Sequence, residues 1–187
     1  RLYSMAYNMK DVFYLDTSIL TTTSAGDGIQ NIDLSSYVDP IARGRAKGTG
    51  LAIYKVFFDF SNSADNSPVP AASAGTARVG LISSPGLPSA AVGSASLTAG
   101  VLAAGNDLMI AGMDFYGGAT AAGDPSPYNY LMPSKEVPYI VVRDQVSLMV
   151  DVSTAFTANT LISVRLECAQ VTLDQSTLNQ LLRTQTV

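Results

Sequence analysis

The side chains most often used in catalysis are scarce in this chain. It contains no histidine and a single cysteine, Cys168. Histidine is the commonest general base and metal ligand near neutral pH, and a cysteine nucleophile needs a neighbouring base or cation to form its thiolate. One cysteine also allows no internal disulfide and no multi-cysteine metal site. Because Cys168 lies on the apolar face of a predicted strand, we expect a buried core thiol.

Carboxylate pairs are the remaining candidates for acid–base chemistry, as in glycoside hydrolysis. Asp107 and Asp114 are an odd number of positions apart along one predicted strand, as are Asp144 and Asp151. Side chains at odd spacing in a strand point to opposite faces, so neither pair forms a convincing acid–base couple. The chain also has no tryptophan, which sugar-binding clefts commonly use. We therefore predict that the protein is not an enzyme and has no cofactor and no small-molecule substrate.

Residues 59–67, DFSNSADNS, carry carboxylate and amide oxygens of the type that bind calcium. The spacing of an EF-hand loop is absent, and Asp, Asn and Ser are also ordinary turn formers. The pattern therefore favours a turn without a metal.

One loop is basic. Arg43, Arg45 and Lys47 lie within five residues, beside Gly44 and Gly48. Three cations in a glycine-containing loop can hold phosphate, which predicts contact with nucleic acid or an anionic lipid. The spacing of a P-loop is absent. The alternatives are a solvated hairpin and a loop that forms salt bridges between subunits.

Tyrosines gather in a second loop. Residues 117–133 are predicted to form a long Gly- and Pro-containing loop, and Tyr116, Tyr128 and Tyr130 lie at its start and within it. Long loops in compact domains are usually functional, and aromatic residues are enriched at interfaces. These tyrosines are therefore candidates for inter-subunit contact. The alternative is that they cover one end of the fold.

The elements that position these residues are predicted to be strands. Alternating apolar and polar residues are typical of strands, and they occur at residues 11–20, 29–34, 51–61, 76–83, 107–116, 146–152 and 162–173, with a less regular stretch at 94–102. No long helices alternate with them. The pattern predicts an all-β fold, an antiparallel β-sandwich that forms a single jelly roll of about eight strands, with a short C-terminal helix.

Three strands carry a more detailed expectation about their faces. The predicted core face of residues 51–61 consists of Ala52, Tyr54, Val56, Phe58 and Phe60. The opposite face includes Phe57 between Lys55 and Asp59, and we expect it to be partly covered. On the strand at residues 146–152 we expect Ser147 and Met149 to face solvent. After Cys168 the alternation slips by one residue, which indicates a bulge or a bend.

The C-terminal segment changes period. Asp174 is a good N-cap, and Leu178, Leu181 and Leu182 form one apolar stripe at helical spacing. This predicts a helix at residues 175–183 that packs on its own sandwich or docks on a partner. The three leucines are therefore candidates for inter-subunit contact.

The composition indicates one domain with a weakly charged surface. The chain has 187 residues, of which 14% are charged, with a net charge of −4. It is therefore not a nucleic-acid-binding polycation, and no apolar run is long enough to span a membrane. We expect one jelly-roll domain over residues 1–187, with an N-terminal lead-in at 1–10 and the C-terminal helix and tail at 174–187. Such a surface suits a protein that is covered by neighbours.

Several stretches together resemble a protein family. They are YVDP after an early strand, LAIYKVFFDFS, and the closing VRLECAQVTLDQSTLNQLL. With the length and composition, they resemble single jelly-roll major capsid proteins of tailless icosahedral viruses, in particular the smaller capsid protein of membrane-containing archaeal and bacterial viruses. The resemblance implies a virion protein that forms homo-oligomeric capsomers and contacts neighbouring capsomers. It also implies a second related capsid protein and contact with an internal membrane or the genome.

The alternative function is a secreted carbohydrate-binding or adhesin-like β-sandwich. It predicts a monomer with a concave aromatic site. The lack of tryptophan and of disulfides counts against it.

Overall fold

The computed structural model describes residues 12–39, 47–69, 74–83, 86–117 and 126–185. These residues form ten strands and one helix: β1 Val12–Thr21, β2 Gly26–Asp33, β3 Lys47–Asn62, β4 Thr76–Ile82, β5 Ala90–Ala95, β6 Met109–Tyr116, β7 Ser126–Leu131, β8 Tyr139–Val141, β9 Gln145–Thr154, β10 Thr160–Asp174 and α1 Gln175–Thr184. The all-β class and the short C-terminal helix are confirmed.

The strands form two antiparallel sheets. The four-stranded sheet has the order β1-β10-β3-β8, and the six-stranded sheet has the order β5-β2-β9-β4-β6-β7. The inner faces of both sheets contribute to one hydrophobic core. The predicted core residues of β10 lie in it, since Ile162, Val164, Leu166 and Cys168 are at most 1% exposed. The protein is therefore a β-sandwich, as the alternation predicted.

Two strands lie where loops or a different strand were expected. β7 falls inside residues 117–133, which were predicted to be a long loop. The irregular strand expected at 94–102 is β5, at Ala90–Ala95, and turns follow it. Both are edge strands of the six-stranded sheet, with few buried residues. Few side chains on either face of these two strands are covered, so their sequences need little apolar alternation and their period is hard to detect.

The predicted core face of β3 is wrong in its first half. Cys168 pairs with Ile53 and Glu167 with Lys55, so Tyr54 is an extra residue in β3. This bulge reverses the faces of the strand, and Leu51 and Ile53 lie in the core with 0% exposure. The slip in alternation after Cys168 of β10 reflects this irregularity, although the extra residue lies on the neighbouring strand, β3.

The outer face of β9 is also less exposed than expected. Ser147 and Met149 are buried, although alternation predicted a solvated face. Residues 96–108, which we call the covering segment, lie over this part of the six-stranded sheet. Leu102 of this segment joins Met149 and Ile82 in a second hydrophobic cluster. The Ser147 hydroxyl donates a hydrogen bond of 2.7 Å to Asn31 Oδ1 and so tolerates burial.

Helix α1 packs on its own sandwich. Asp174 caps it by accepting a hydrogen bond of 2.7 Å from the Thr177 N–H, and this bond lowers the pKa of the carboxyl group. Leu178 is 0% exposed and lies against Gly48 of β3. Beyond the helix, the buried Gln185 side chain donates to the Ile140 carbonyl at 2.7 Å and accepts from the Val142 N–H at 3.2 Å. The helix is therefore fixed at both ends.

Candidate functional site: two exposed sheet faces

A row of charged side chains crosses the outer face of the six-stranded sheet. Asp27, Asp151, Arg78 and Asp114 are successive cross-strand partners on β2, β9, β4 and β6. We call them the charge row. Arg78 donates two hydrogen bonds to Asp114, from Nε at 2.6 Å and from Nη2 at 2.7 Å, and its guanidinium lies 4.6 Å from the centre of the Tyr130 ring. Asp114 is 8% exposed, so this bidentate pair satisfies a nearly buried carboxylate.

The other end of the charge row holds two carboxyl groups, Asp27 and Asp151, on neighbouring strands in register. Burial raises the pKa of Asp151, and the charge of Asp27 and a hydrogen bond with it raise it further, while Arg78 partly opposes the shift. Asp27 Oδ2 also accepts a hydrogen bond of 2.7 Å from the Leu97 N–H, so it holds the covering segment.

The raised pKa of Asp151 predicts a pH-dependent stability. A carboxyl group whose pKa is higher in the folded state than in the unfolded state weakens the fold when it is ionised, and stability is regained as the pH falls through the raised value. We expect Asp151→Asn to raise the melting temperature at pH 7 and the gain to shrink in acid. Thermal unfolding from pH 3 to pH 7 measures this. The exposed Asp144→Asn removes the same charge as a control, and equal gains for both variants would contradict the prediction.

A cleft of about 240 Å³ lies between the charge row and the covering segment, lined by Asp27, Arg78, Asp151 and residues 97–103. The Tyr130 hydroxyl donates a hydrogen bond of 2.7 Å to the Leu102 carbonyl and closes one side. Burial raises the pKa of Tyr130 to about 12. Asp27, through the Leu97 N–H, and Tyr130, through the Leu102 carbonyl, hold the covering segment on the sheet.

The predicted tyrosine contacts divide into two kinds. Tyr116 and Tyr128, on β6 and the edge strand β7, are 52% and 61% exposed. Their rings are available to a neighbour. Tyr130 is engaged within its own chain through Arg78 and Leu102.

The leucine stripe is used mostly inside the subunit. Leu178 is fully buried under the helix, which is a correction to its assignment as a contact with another subunit. Leu181 and Leu182 are half-buried. The apolar stripe meets the subunit's own sheet because β3 begins at Lys47 and places Gly48 beneath the helix.

The basic loop lies mostly outside the described residues. Arg43 and Arg45 belong to residues 40–46, which the structure does not describe. Lys47 is exposed and is the first residue of β3 rather than part of a loop. The phosphate-binding role of the three cations stays a prediction.

The cysteine lies in the core, and the acidic loop contains turn hydrogen bonds. Cys168 is 0% exposed, and burial raises the pKa of its thiol to about 12, as a core cysteine requires. In residues 59–67, Asn62 and Asp65 accept hydrogen bonds from backbone N–H groups two residues later, which are turn contacts. Across the described ranges, no group of three or more Cys, Asp or Glu side chains could hold a metal ion.

The outer face of the four-stranded sheet is open. Tyr14 is 50% exposed and Phe57 49% exposed, and the Arg165 guanidinium lies 4.5 Å from the centre of the Tyr14 ring. A cleft beside Phe57 is lined by Asp16, Thr17, Ser18, Asp59, Ser163, Val164 and Arg165. Phe57 was expected to be partly covered, yet about half of it meets solvent in the single chain.

Comparison with known families, curated proteins and solved structures finds no match. The functional argument therefore depends on the fold and on its surfaces. In the part of the chain that is described, no helix has the length and apolar character needed to cross a membrane. Sequence reasoning missed the charge row because its members are far apart in the chain, and only the strand register brings them together.

Proposed function

We propose that this protein is a structural subunit that self-assembles into the capsomers of an icosahedral viral shell. The observation that carries the proposal is the strand order. With β5 and β7 set aside and the other eight strands renumbered along the chain, the sheets have the orders 1-8-3-6 and 2-7-4-5. This interleaving is the one expected of two nested Greek keys and so supports the proposal of a jelly roll. β5 and β7 are then additions at the two edges of one sheet.

The surface favours assembly over sugar binding. Jelly rolls serve both capsid and lectin proteins, so the fold alone does not choose between them. The exposed aromatic side chains, Tyr14, Phe57, Tyr116 and Tyr128, lie on a sheet face and along an edge of the six-stranded sheet. Such open surfaces suit contact with another protein, where aromatic residues are enriched. The low charge of the chain lowers repulsion between closely packed copies.

In this proposal the partners are further copies of the chain, neighbouring capsomers and a second, related capsid protein. The stretch from Arg43 to Lys47 is the candidate for contact with the genome or an internal membrane. The location is the virion.

The test is the mass and shape of the purified chain. Light scattering over a concentration series, followed by electron microscopy of the largest species, should show rings, sheets or closed shells. A monomer at every concentration and salt level would contradict the proposal. Binding to a glycan array by that monomer would support the carbohydrate-binding alternative instead.

A further inference from the structure

Strand β3 presents a cation, an aromatic ring and an anion in a line on the outer face of the four-stranded sheet. Lys55, Phe57 and Asp59 are all exposed, while Val56 and Phe60 point into the core. Outward residues two apart on a strand are separated by about 7 Å. The two charges therefore lie on either side of Phe57, at about the same distance from it.

The charges of this line form no salt bridge within the part of the chain that the structure describes. Glu167 is the cross-strand partner of Lys55, but its carboxylate lies 3.9 Å from Lys135 Nζ. Arg165 pairs in register with Phe57 and leans over the Tyr14 ring. Among the described residues, neither Lys55 nor Asp59 has an ion-pair partner within 4.0 Å.

The neighbouring strands extend the line into two rows of opposite shape. Three long side chains, Tyr14, Glu167 and Lys55, form one row across β1, β10 and β3. A row of short ones, Ser18, Ser163 and Asp59, lies on the other side of Phe57. The cleft beside Phe57, about 470 Å³ in volume, is lined by all three residues of the short row. The short row therefore lies in a recess, while Tyr14 and Lys55 project from the two ends of the long row and Glu167 between them is largely covered.

We propose that this face binds the same face of a second copy of the chain. The two copies are related by a two-fold axis that passes Phe57, lies between the two faces and runs across the strands, so the two β3 strands are antiparallel. The inference rests on the proposed function, for which it names one contact.

The axis places Lys55 of each copy opposite Asp59 of the other and brings the two Phe57 rings together. Arg165 and Asp16, in register with Phe57, lie on the axis as neighbours of opposite charge, so each meets both charges of the other copy's row. The axis also places each long row over the short row of the other copy, so that Tyr14 enters the cleft. A two-fold contact of this kind uses the same patch twice and closes after two copies.

Charge reversal tests the pairing. Lys55→Asp alone places two anions opposite each other, and Asp59→Lys alone places two cations opposite each other. We expect each variant to weaken dimer formation at least about tenfold, measured by sedimentation velocity at low salt. Mixing the two variants in equal amounts restores both pairs and should return dimers of one copy of each. The double variant K55D/D59K restores the pairs within one sequence and should dimerise like the wild type.

The outcomes separate this contact from the proposed function. Both positions are exposed, so the melting temperatures should stay within a few degrees of the wild-type value. Wild-type assembly that is insensitive to either single reversal, or that the mixture fails to rescue, overturns the two-fold contact and leaves the capsid proposal standing. A wild-type chain that stays monomeric at all concentrations overturns both.

Discussion

Replacing Phe115 with alanine is expected to lower the free energy of unfolding by about 3–5 kcal/mol. Phe115 of β6 is 6% exposed and stacks on Phe60 of β3, with 4.4 Å between the ring centres. Phe156, in the connection between β9 and β10, closes the cluster at 5.9 Å from Phe115. The three rings join the two sheets. The truncation loses buried apolar area and leaves a cavity between the two sheets. The sheets cannot easily move together to fill this cavity, because the hydrogen bonds between strands hold each sheet in shape.

A matched phenylalanine provides the control. Phe57 lies on β3 like Phe60, but it is 49% exposed on the outer face. Phe57→Ala removes a half-buried ring from a strand and should cost about 1–2 kcal/mol, clearly less than Phe115→Ala. Urea unfolding of both variants measures the difference in the free energy of unfolding. In thermal unfolding, Phe115→Ala should also lower the melting temperature by on the order of 10 °C. Similar losses for the two variants would show that the rings do not join the sheets as described. Phe57→Ala should instead weaken the two-fold contact.

The alternation of apolar and polar residues predicted the long central strands because one face of each strand is buried in the core and the other is not. β10 is the clearest case, since its inward residues from Ile162 to Cys168 are almost fully buried. The register of β3 was not predictable in the same way. Its extra residue, Tyr54, is defined by pairing with β10, and the apolar residues on both sides of Lys55, from Leu51 to Phe58, fit either phase. Sequence period reports the faces of a strand only where the strand is regular.

The charged and polar contacts were harder to predict than the strands. Arg78 and Asp114 form a bidentate pair because β4 and β6 are neighbours in register, and Asp151 meets Asp27 because β9 lies beside β2. Along the chain these residues show no common spacing. Tyr116 and Tyr128 were chosen from their type and their place at a predicted long loop; both are exposed, and their contact with another subunit stays a prediction. Leu178 was found by its helical spacing, but the spacing does not tell which surface the helix meets.

Leu178→Ala is expected to lower the free energy of unfolding by about 2–5 kcal/mol. The Leu178 side chain is 0% exposed, and a methyl group added to Gly48 would lie 2.7 Å from its Cδ2 atom. Gly48→Ala should therefore also destabilise, through overpacking. The two changes are opposite in volume, so the double variant should lose less stability than the sum of the single losses. Chemical denaturation of the three variants measures this coupling.

The same variants distinguish a packing role for Leu178 from a contact between subunits. The exposed Asn179 lies on the same helix, and Asn179→Ala should leave the stability nearly unchanged. Because Leu178 is buried within its own chain, its loss should appear at every protein concentration and independently of assembly. A loss that grew with concentration-dependent assembly would indicate that the leucine contacts a neighbour. Gln185 stays bound to Ile140 and Val142 beyond the helix, so the Leu178 variant should loosen α1 first at its start. Amide hydrogen exchange in the helix, residues 175–184, should therefore rise at the start of the helix before it rises near Gln185.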